Sequence, residues 1–262
     1  MTRSLATVYG TDLAVEEFGS GAPVLLLPSE EGPASTRPFA EALGRDRHVL
    51  MPHHPGYGES RRLPWNASIR DLAYLYSDVL EGEGLRGVHV VGSSLGAWVA
   101  LELAAMGNGR ISSMTLVGPV GIKLGGTEER DFVDVHSISA EERAERAYHD
   151  ATLGALHADS LTIEELAHVM LCRETFTTYV WEPYLHSRSL RHHAARIRVP
   201  TLVISGSSDR LVRAGYHEEL ADFLPNARYA ELPACGHFPD IESPAETVTL
   251  FNVFAASGTA TV

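Results

Sequence analysis

The stretch V-H-V-V-G-S-S-L-G-A-W-V-A-L-E-L, from Val88 to Leu103, decides the fold prediction. Its apolar start has the composition of a buried strand, and its Ala- and Leu-rich end is typical of a helix. Between them lies the pattern G-x-S-x-G, with Ser94 at its centre. This pattern between a strand and a helix predicts a sharp turn that exposes the serine hydroxyl above a sheet. Gly92 and Gly96 have no Cβ atoms, so the strand and the helix can pass close together.

Short apolar runs alternate with helical patterns along the rest of the chain. Such alternation predicts βαβ units, and therefore an α/β fold with a mostly parallel, doubly wound sheet of about eight strands. A hairpin of Leu5–Tyr9 and Asp12–Phe18 would add antiparallel strands at one edge. The other predicted strands are Pro23–Leu27, His48–Met51, Val88–Val91, Ile111–Val117, Val199–Ser205 and Arg228–Leu232. The predicted helices begin near Ser35, Ser68, Ser94, Ala214 and Pro244.

The strand rhythm stops between about Val120 and Ile197, where no apolar strand run occurs. Two patterns there, Ser139–Glu142 and Thr162–Glu165, are typical of helix capping boxes. We therefore predict a helical lid, residues 120–197 (the lid segment), inserted between two strands of a core formed by residues 1–119 and 198–262. The alternative is a run of helices that pack within the main core.

Composition indicates a globular protein with one main core, since 44% of the 262 residues are hydrophobic and 21% are charged. The formal net charge of −13 argues against nucleic acid and anionic membranes as partners. No apolar run reaches about 18 residues, and residues 1–10 lack the apolar core of a signal peptide, so we expect a cytoplasmic protein. We expect reduced thiols at Cys172 and Cys235, no metal and no cofactor, and either a monomer or a dimer.

Two residues downstream of Ser94 complete a candidate catalytic set. A serine hydroxyl becomes nucleophilic when a histidine accepts its proton and a third group holds that histidine in one tautomer. Asp209 follows the predicted strand 199–205, and His237 follows the predicted strand 228–232. The ends of strands are where a doubly wound sheet carries functional residues. Taken singly, Asp209 could be a turn residue and His237 a structural histidine.

The chain resembles the α/β-hydrolase superfamily, in its serine-nucleophile, lid-containing branch, over essentially its whole length. Four pieces carry the resemblance in the expected order: Val91–Gly96, His54–Ser60, Gly206–Asp209 and Gly236–Pro239. The resemblance implies that Ser94 is the nucleophile, His237 the base and Asp209 the residue that orients it. It also excludes the epoxide hydrolases and haloalkane dehalogenases of the superfamily, which use an aspartate nucleophile.

One departure from the family pattern concerns the oxyanion hole. Where relatives usually have His-Gly after the third strand, this chain has Pro28-Ser29, followed by Glu30-Glu31. The predicted oxyanion donors are the backbone N–H groups of Leu95 and Glu30. Three accounts of the two glutamates stay open: they face solvent, they bind a cationic or hydroxylated substrate, or one transfers a proton in a reaction other than ester hydrolysis. We expect Glu30 at the mouth of the site, where it would influence specificity.

Four further residues are candidates for substrate contact, namely Ser29, Glu31, His54 and Phe238. The predicted function is hydrolysis of a partly apolar small-molecule ester, lactone or thioester through a Ser-His-Asp triad and an acyl-enzyme. Three alternatives stay open. They are a carbon–carbon bond hydrolase, a lyase or acyltransferase on the same fold, and a ligand receptor that turns over slowly.

Overall fold

A single eight-stranded sheet forms the centre of the computed structural model, which describes residues 2–6, 12–155 and 161–258. The strand order is β1-β2-β4-β3-β5-β6-β7-β8. The first two strands are antiparallel to their neighbours, and the remaining six are parallel to one another. The strands are β1 (Thr2–Ala6), β2 (Asp12–Phe18), β3 (Ala22–Leu27), β4 (Arg47–Pro52), β5 (Val88–Ser93), β6 (Ile111–Val117), β7 (Thr201–Gly206) and β8 (Ala227–Leu232). The predicted α/β fold is therefore confirmed; residues 7–11 of the predicted hairpin lie outside the described residues.

Helices cover both faces of the sheet, and the alternation along β3 shows why. Val24 and Leu26 pack in one hydrophobic cluster, whereas Leu25 and Leu27 pack in another. Successive side chains of a strand point to opposite faces, so this continuous apolar run is buried on both sides. The helices are α1 (Pro33–Leu43), α2 (Ile69–Gly82), α3 (Leu95–Ala105), α4 (Ala140–Ala147), α5 (Ile163–Val180), α6 (Leu190–Ala194), α7 (Tyr216–Phe223), α8 (Pro239–Glu242) and α9 (Pro244–Gly258).

Local sequence signals account for most helix starts. Ser68 caps α2 through a complete capping box with Asp71, and the Ser139 hydroxyl accepts from the Glu142 N–H at the start of α4. Helix α1 starts at Pro33, two residues before the predicted Ser35. The reason is that proline, with its fixed φ and missing N–H, suits the first helical position better than a serine suits the cap here.

The lid segment lies between β6 and β7 and contains α4, α5 and α6, together with a short 3-10 helix at Ala151–Leu153. Within its described part, two isolated bridges, Gly121 to His186 and Phe132 to Val212, are the extent of its β pairing. No β-strand occurs in the described part of the lid segment, which agrees with the sequence pattern. The division of the chain into a core and a lid stays a prediction. Across the described ranges, no helix combines the length and apolar character needed to cross a membrane.

Candidate active site

Ser94 sits in a strained turn between β5 and α3. Its backbone has φ 45° and ψ −108°, a region that costs a non-glycine residue on the order of 1–3 kcal/mol. The Ser94 N–H donates to the carbonyl of Val117 at 2.8 Å, which anchors the turn to β6. A Cβ atom added at Gly96 would lie 2.1 Å from the carbonyl oxygen of Leu27. The predicted need for a glycine after the serine therefore comes from the close approach of α3 to β3.

The ends of β7 and β8 bring the other two predicted residues to Ser94. The Nε2 atom of His237 lies 3.0 Å from Ser94 Oγ, and its Nδ1 atom lies 2.7 Å from Asp209 Oδ2. The other carboxylate oxygen of Asp209 accepts from the Leu211 N–H at 2.9 Å, and the His237 N–H donates to the Ala147 carbonyl at 2.6 Å. Sequence reasoning thus selected three residues that the fold places in one hydrogen-bonded chain.

Burial and charge shift the pKa values of His237 and Asp209 in opposite directions. Burial disfavours the imidazolium of His237, but attraction and a hydrogen bond from Asp209 outweigh it, so the pKa of His237 lies above its usual value. Burial likewise disfavours the Asp209 carboxylate, and its contacts with His237 again prevail, so the pKa of Asp209 lies below its usual value. The pair therefore favours a charged imidazole beside a charged carboxylate, which is the state that follows proton removal from a serine.

A second histidine faces Asp209 from α7. His217 Nδ1 lies 3.9 Å from Asp209 Oδ2, and His217 Nε2 donates to the Pro119 carbonyl at 3.2 Å. Burial lowers the pKa of His217 to about 4. Asp209, His217 and His237 place candidate ligand atoms within 4.8 Å of one another, a spacing that could hold a metal ion. A cation there would replace the proton between His237 and Asp209, so the same atoms cannot serve both uses at once.

A buried carboxyl group lies behind the turn. The Ser93 hydroxyl donates to Asp240 Oδ1 at 2.8 Å, while Asp240 Oδ2 has no hydrogen-bond partner among the described residues. Burial raises the pKa of Asp240 to about 6. Asp240 therefore holds the residue before the nucleophile without reaching the reacting atoms.

The predicted oxyanion hole contains a carboxylate. The Leu95 N–H donates to Glu30 Oε2 at 3.4 Å, a long hydrogen bond from the residue that follows Ser94. In the same loop, the Glu31 N–H donates to Ser29 Oγ at 3.3 Å. This N–H group is therefore already hydrogen-bonded to a residue of its own loop. The Leu95 N–H, one of the two predicted donors, is therefore occupied by the Glu30 side chain.

Two cavities near the triad share part of their lining. The inner pocket contains Ser94 and His237, and its volume is about 10 Å³, room for about one water molecule. Its walls are apolar and come mainly from the lid segment, including Val120, Phe132, Val133, Phe176 and Leu185. The outer chamber has a volume of about 320 Å³ and opens between the Glu30 loop, α4 and α5. Glu30 lines both cavities, as do Val135 and Phe176.

Charged groups line the outer chamber. Arg143 of α4 forms an ion pair with Glu31, and their side chains are 16% and 21% exposed. The negative charge of Glu31 raises the pKa of Arg143 further. Arg173, His136 and His168 complete the polar lining. Glu31 therefore lies where sequence analysis expected substrate contact, but its charge is already balanced by Arg143.

The remaining predicted contacts lie outside the lining of the two cavities. His54 Nε2 donates to the Pro28 carbonyl at 3.0 Å, its Nδ1 bonds to Tyr76 Oη, and burial lowers its pKa to about 4. Phe238 stacks edge-on against His237, with ring centres 4.9 Å apart. Ser29 is fully buried and bonded within its loop. The hydrogen bonds and ring contact of these three side chains are with residues of the neighbouring loops and helices, and their predicted contact with substrate stays a prediction.

Sequence reasoning missed several residues of the site. Arg143 and Phe176 reach it from the lid segment, and His217 and Asp240 lie beside the triad. The capping box at Ser139 indicated a helix near Arg143 but not the direction in which that helix packs. A histidine on the helix that follows Asp209 was the one available signal for His217.

A model of the alpha/beta hydrolase family matches residues 24–250, and the chain therefore belongs to this family. It is 31% identical over 244 residues to a protein of Azorhizobium caulinodans named "Putative carbamate hydrolase RutD", covering 86% of this chain and 88% of that one. It is 27% identical over 277 residues to a 2-hydroxymuconate semialdehyde hydrolase of Pseudomonas putida, covering 98% and 94%. The family and these relatives identify an enzyme with hydrolase activity.

The solved structures agree on the fold. A serine hydrolase from Cycloclasticus zankles superposes with a TM-score of 0.80 over 100% of this chain and 99% of its own, at 20% identity. At that level of identity the likeness concerns the architecture, so the chemistry must be argued from the site itself.

Proposed function

We propose that the protein is a serine hydrolase that cleaves a small-molecule ester, lactone or thioester through an acyl-enzyme on Ser94. The observation that carries this proposal is the position of His237, 3.0 Å from Ser94 Oγ on one side and 2.7 Å from Asp209 on the other. Nucleophile, base and orienting acid are the parts that acyl transfer requires. The outer chamber of about 320 Å³ combines apolar and charged lining residues, which suits a small molecule with one apolar and one polar part.

The first half-reaction forms the acyl-enzyme. Ser94 Oγ attacks the carbonyl carbon while His237 Nε2 accepts the hydroxyl proton, and Asp209 stabilises the resulting imidazolium. The Leu95 and Glu30 N–H groups bind the oxyanion of the tetrahedral intermediate. His237 then returns the proton to the leaving alkoxide or thiolate as the carbonyl re-forms.

The second half-reaction uses water in place of the leaving group. His237 removes a proton from the water as it attacks the acyl carbon, and then protonates Ser94 Oγ as the acid departs. The strained backbone of Ser94 keeps the hydroxyl aimed at the pocket throughout.

A second candidate is hydrolysis of a carbon–carbon bond next to a carbonyl group. It is favoured by the similarity, over 98% of this chain, to a 2-hydroxymuconate semialdehyde hydrolase. The same triad would serve, but the leaving group would be a stabilised carbanion that takes its proton on carbon. A vinylogous 1,5-diketone therefore distinguishes the two candidates when it is compared with aryl esters.

Labelling with a fluorophosphonate probe tests the proposal. We expect rapid modification of the wild-type protein at a single site, loss of labelling in Ser94→Ala, and retained labelling in Ser93→Ala, which removes the neighbouring hydroxyl. Steady hydrolysis of 4-nitrophenyl acetate by the wild type, abolished in Ser94→Ala, completes the expected result. A folded wild-type protein that neither reacts with the probe nor hydrolyses the ester would contradict the proposal and favour a ligand receptor.

A further inference from the structure

The side chain of Glu30 accepts a hydrogen bond from an N–H group that the proposed oxyanion hole needs. The two predicted oxyanion donors belong to Leu95 and Glu30 itself, and the Leu95 N–H is taken by Glu30 Oε2 at 3.4 Å. An anionic carboxylate in this position repels the negative charge that develops in acyl transfer. The hydrogen bond is long and therefore weak, so a suitable ligand can displace it. Hydrolysis through Ser94 requires the carboxylate to leave Leu95.

No cation in the described part of the chain forms an ion pair with Glu30. Its neighbour Glu31 is paired with Arg143, and the other cation of the outer chamber, Arg173, is exposed on α5. The Glu30 carboxylate is half-buried beside the apolar wall of the inner pocket, where electrostatic attraction is stronger than in water. Arg143 senses the charge of Glu30 but forms its ion pair with Glu31, so among the described residues the Glu30 carboxylate has no ion-pair partner of its own beside Leu95.

We propose that Glu30 determines specificity by selecting substrates that carry an ammonium group on the acyl side, close to the scissile carbonyl. This inference rests on the proposed function and names its substrate class. The ammonium group pairs with the Glu30 carboxylate, draws it away from the Leu95 N–H and thereby frees the oxyanion hole. Recognition of the substrate and opening of the hole are then the same event.

The overall charge of the protein supports this substrate class. A formal net charge of −13 attracts small cations and repels small anions during diffusion to the site. A substrate with a carboxylate in the same position would place two negative charges together beside the hole. We expect such a substrate to be turned over more slowly than a neutral one.

Three methyl esters of nearly equal size test the proposal: methyl 3-aminopropanoate, methyl butanoate and monomethyl succinate. They place an ammonium, a methyl or a carboxylate group at corresponding positions. Hydrolysis is followed by pH-stat at neutral pH. We expect the wild-type kcat/KM for the ammonium ester to exceed that for the neutral ester by about tenfold or more, and the carboxylate ester to be the slowest.

The variant Glu30→Gln keeps the shape of the side chain and removes its charge. It should reduce the preference for the ammonium ester over the neutral ester by about tenfold and raise kcat/KM for the carboxylate ester. The matched control Glu41→Gln makes the same charge change on the exposed side of α1 and should keep the wild-type ratios.

The outcomes separate this inference from the proposed function. Hydrolysis of all three esters without preference, a wild-type preference for the carboxylate ester, or an unchanged ratio in Glu30→Gln would each overturn the role of Glu30 alone. Hydrolysis of none of the esters, together with no fluorophosphonate labelling of Ser94, would overturn the proposed function and this inference with it. The wild-type ratios do not depend on the folding of any variant.

Discussion

His217 Nδ1 lies 3.9 Å from Asp209 Oδ2, the same oxygen that binds His237 Nδ1 at 2.7 Å. His217 Nε2 carries a proton and donates it to the Pro119 carbonyl. In the neutral imidazole Nδ1 is then unprotonated, and it faces the carboxylate with its lone pair. With a pKa of about 4, His217 is neutral at ordinary pH and does not compete for Asp209. The proton on His237 is therefore the one that Asp209 holds, and this fixes the tautomer in which Nε2 faces Ser94.

Asp209→Asn should reduce kcat for a good ester substrate by roughly 10³- to 10⁴-fold, because an amide can stabilise the wrong tautomer of His237. The side chain is 3% exposed, so no solvent can replace the lost charge. Asp222→Asn, a matched change on the exposed surface of α7, should keep kcat near the wild-type value. Steady-state kinetics checks both, and a loss of less than about tenfold in Asp209→Asn would contradict the role of Asp209.

Gly206→Ala should damage catalysis by pushing apart the loops that carry Asp209 and His237. A Cβ at Gly206 would lie 2.2 Å from the carbonyl oxygens of Cys235 and Gly236, and backbone atoms cannot yield as a flexible side chain does. We expect kcat/KM to fall about 10²-fold and stability to fall by about 1–3 kcal/mol. Gly82→Ala, where nothing lies within 4 Å, should leave both near wild type. Equal effects of the two substitutions in kinetics and urea unfolding would refute this account.

The alternation of apolar runs with helical patterns, together with the G-x-S-x-G turn, was sufficient to predict the sheet and the convergence of Ser94, Asp209 and His237. A doubly wound sheet carries its functional loops at one edge, so residues that follow β5, β7 and β8 meet there whatever lies between them. The contents of the oxyanion hole were not predictable in this way. They depend on the rotamer of Glu30 and on Arg143, a partner of Glu31 that is 112 residues away along the chain. No periodic pattern records such a contact, because it is fixed by how the lid segment packs.

The pH profile of kcat/KM should respond to Glu30. His237 must be neutral to accept the Ser94 proton, so activity is lost as pH falls through the pKa of His237, which lies above its usual value. The Glu30 charge is one of the causes that raise this pKa, so Glu30→Gln should move the acidic limb to lower pH. Profiles on a neutral ester check the direction, with Glu41→Gln as the charge-matched control. An acidic limb that stays in place or moves to higher pH would argue against contact between Glu30 and the triad.

Asp240→Asn should change stability in a pH-dependent way. Burial raises the pKa of Asp240 from its ordinary value of 3.8 to about 6, so the folded state disfavours its charged form. The penalty is absent well below pH 3.8 and is complete above about pH 6, which makes it about 1 kcal/mol larger at pH 8 than at pH 5. Stability of Asp240→Asn relative to wild type should therefore improve by about that amount between pH 5 and pH 8. A relative stability that is constant across this range, measured by urea unfolding, would show that Asp240 does not titrate there.

His89 should contribute to acid unfolding from the core of the sheet. It is 7% exposed, its two ring nitrogens bond to Ser113 and Thr115 hydroxyls at 2.8 Å, and burial lowers its pKa to about 3. The unfolded chain binds a proton on this residue below about pH 6.5, whereas the folded protein does not. The free energy of unfolding therefore keeps its full value, as far as His89 is concerned, above pH 6.5. It decreases as pH falls, by about 2 kcal/mol between pH 8 and pH 5.

His89→Gln removes this titration and keeps a side chain that can bond to the same hydroxyl groups. It should lower stability at pH 8, because a glutamine packs less well against the Phe251 ring, which lies 4.6 Å from the imidazole. The loss of stability between pH 8 and pH 5 should nevertheless be smaller than in wild type by about 2 kcal/mol. His192→Gln, on the exposed surface of α6, should keep the wild-type difference. Because the quantity compared is the change with pH within each protein, the packing defect cancels, and an unchanged difference in His89→Gln would mean that this imidazole is charged in the folded state.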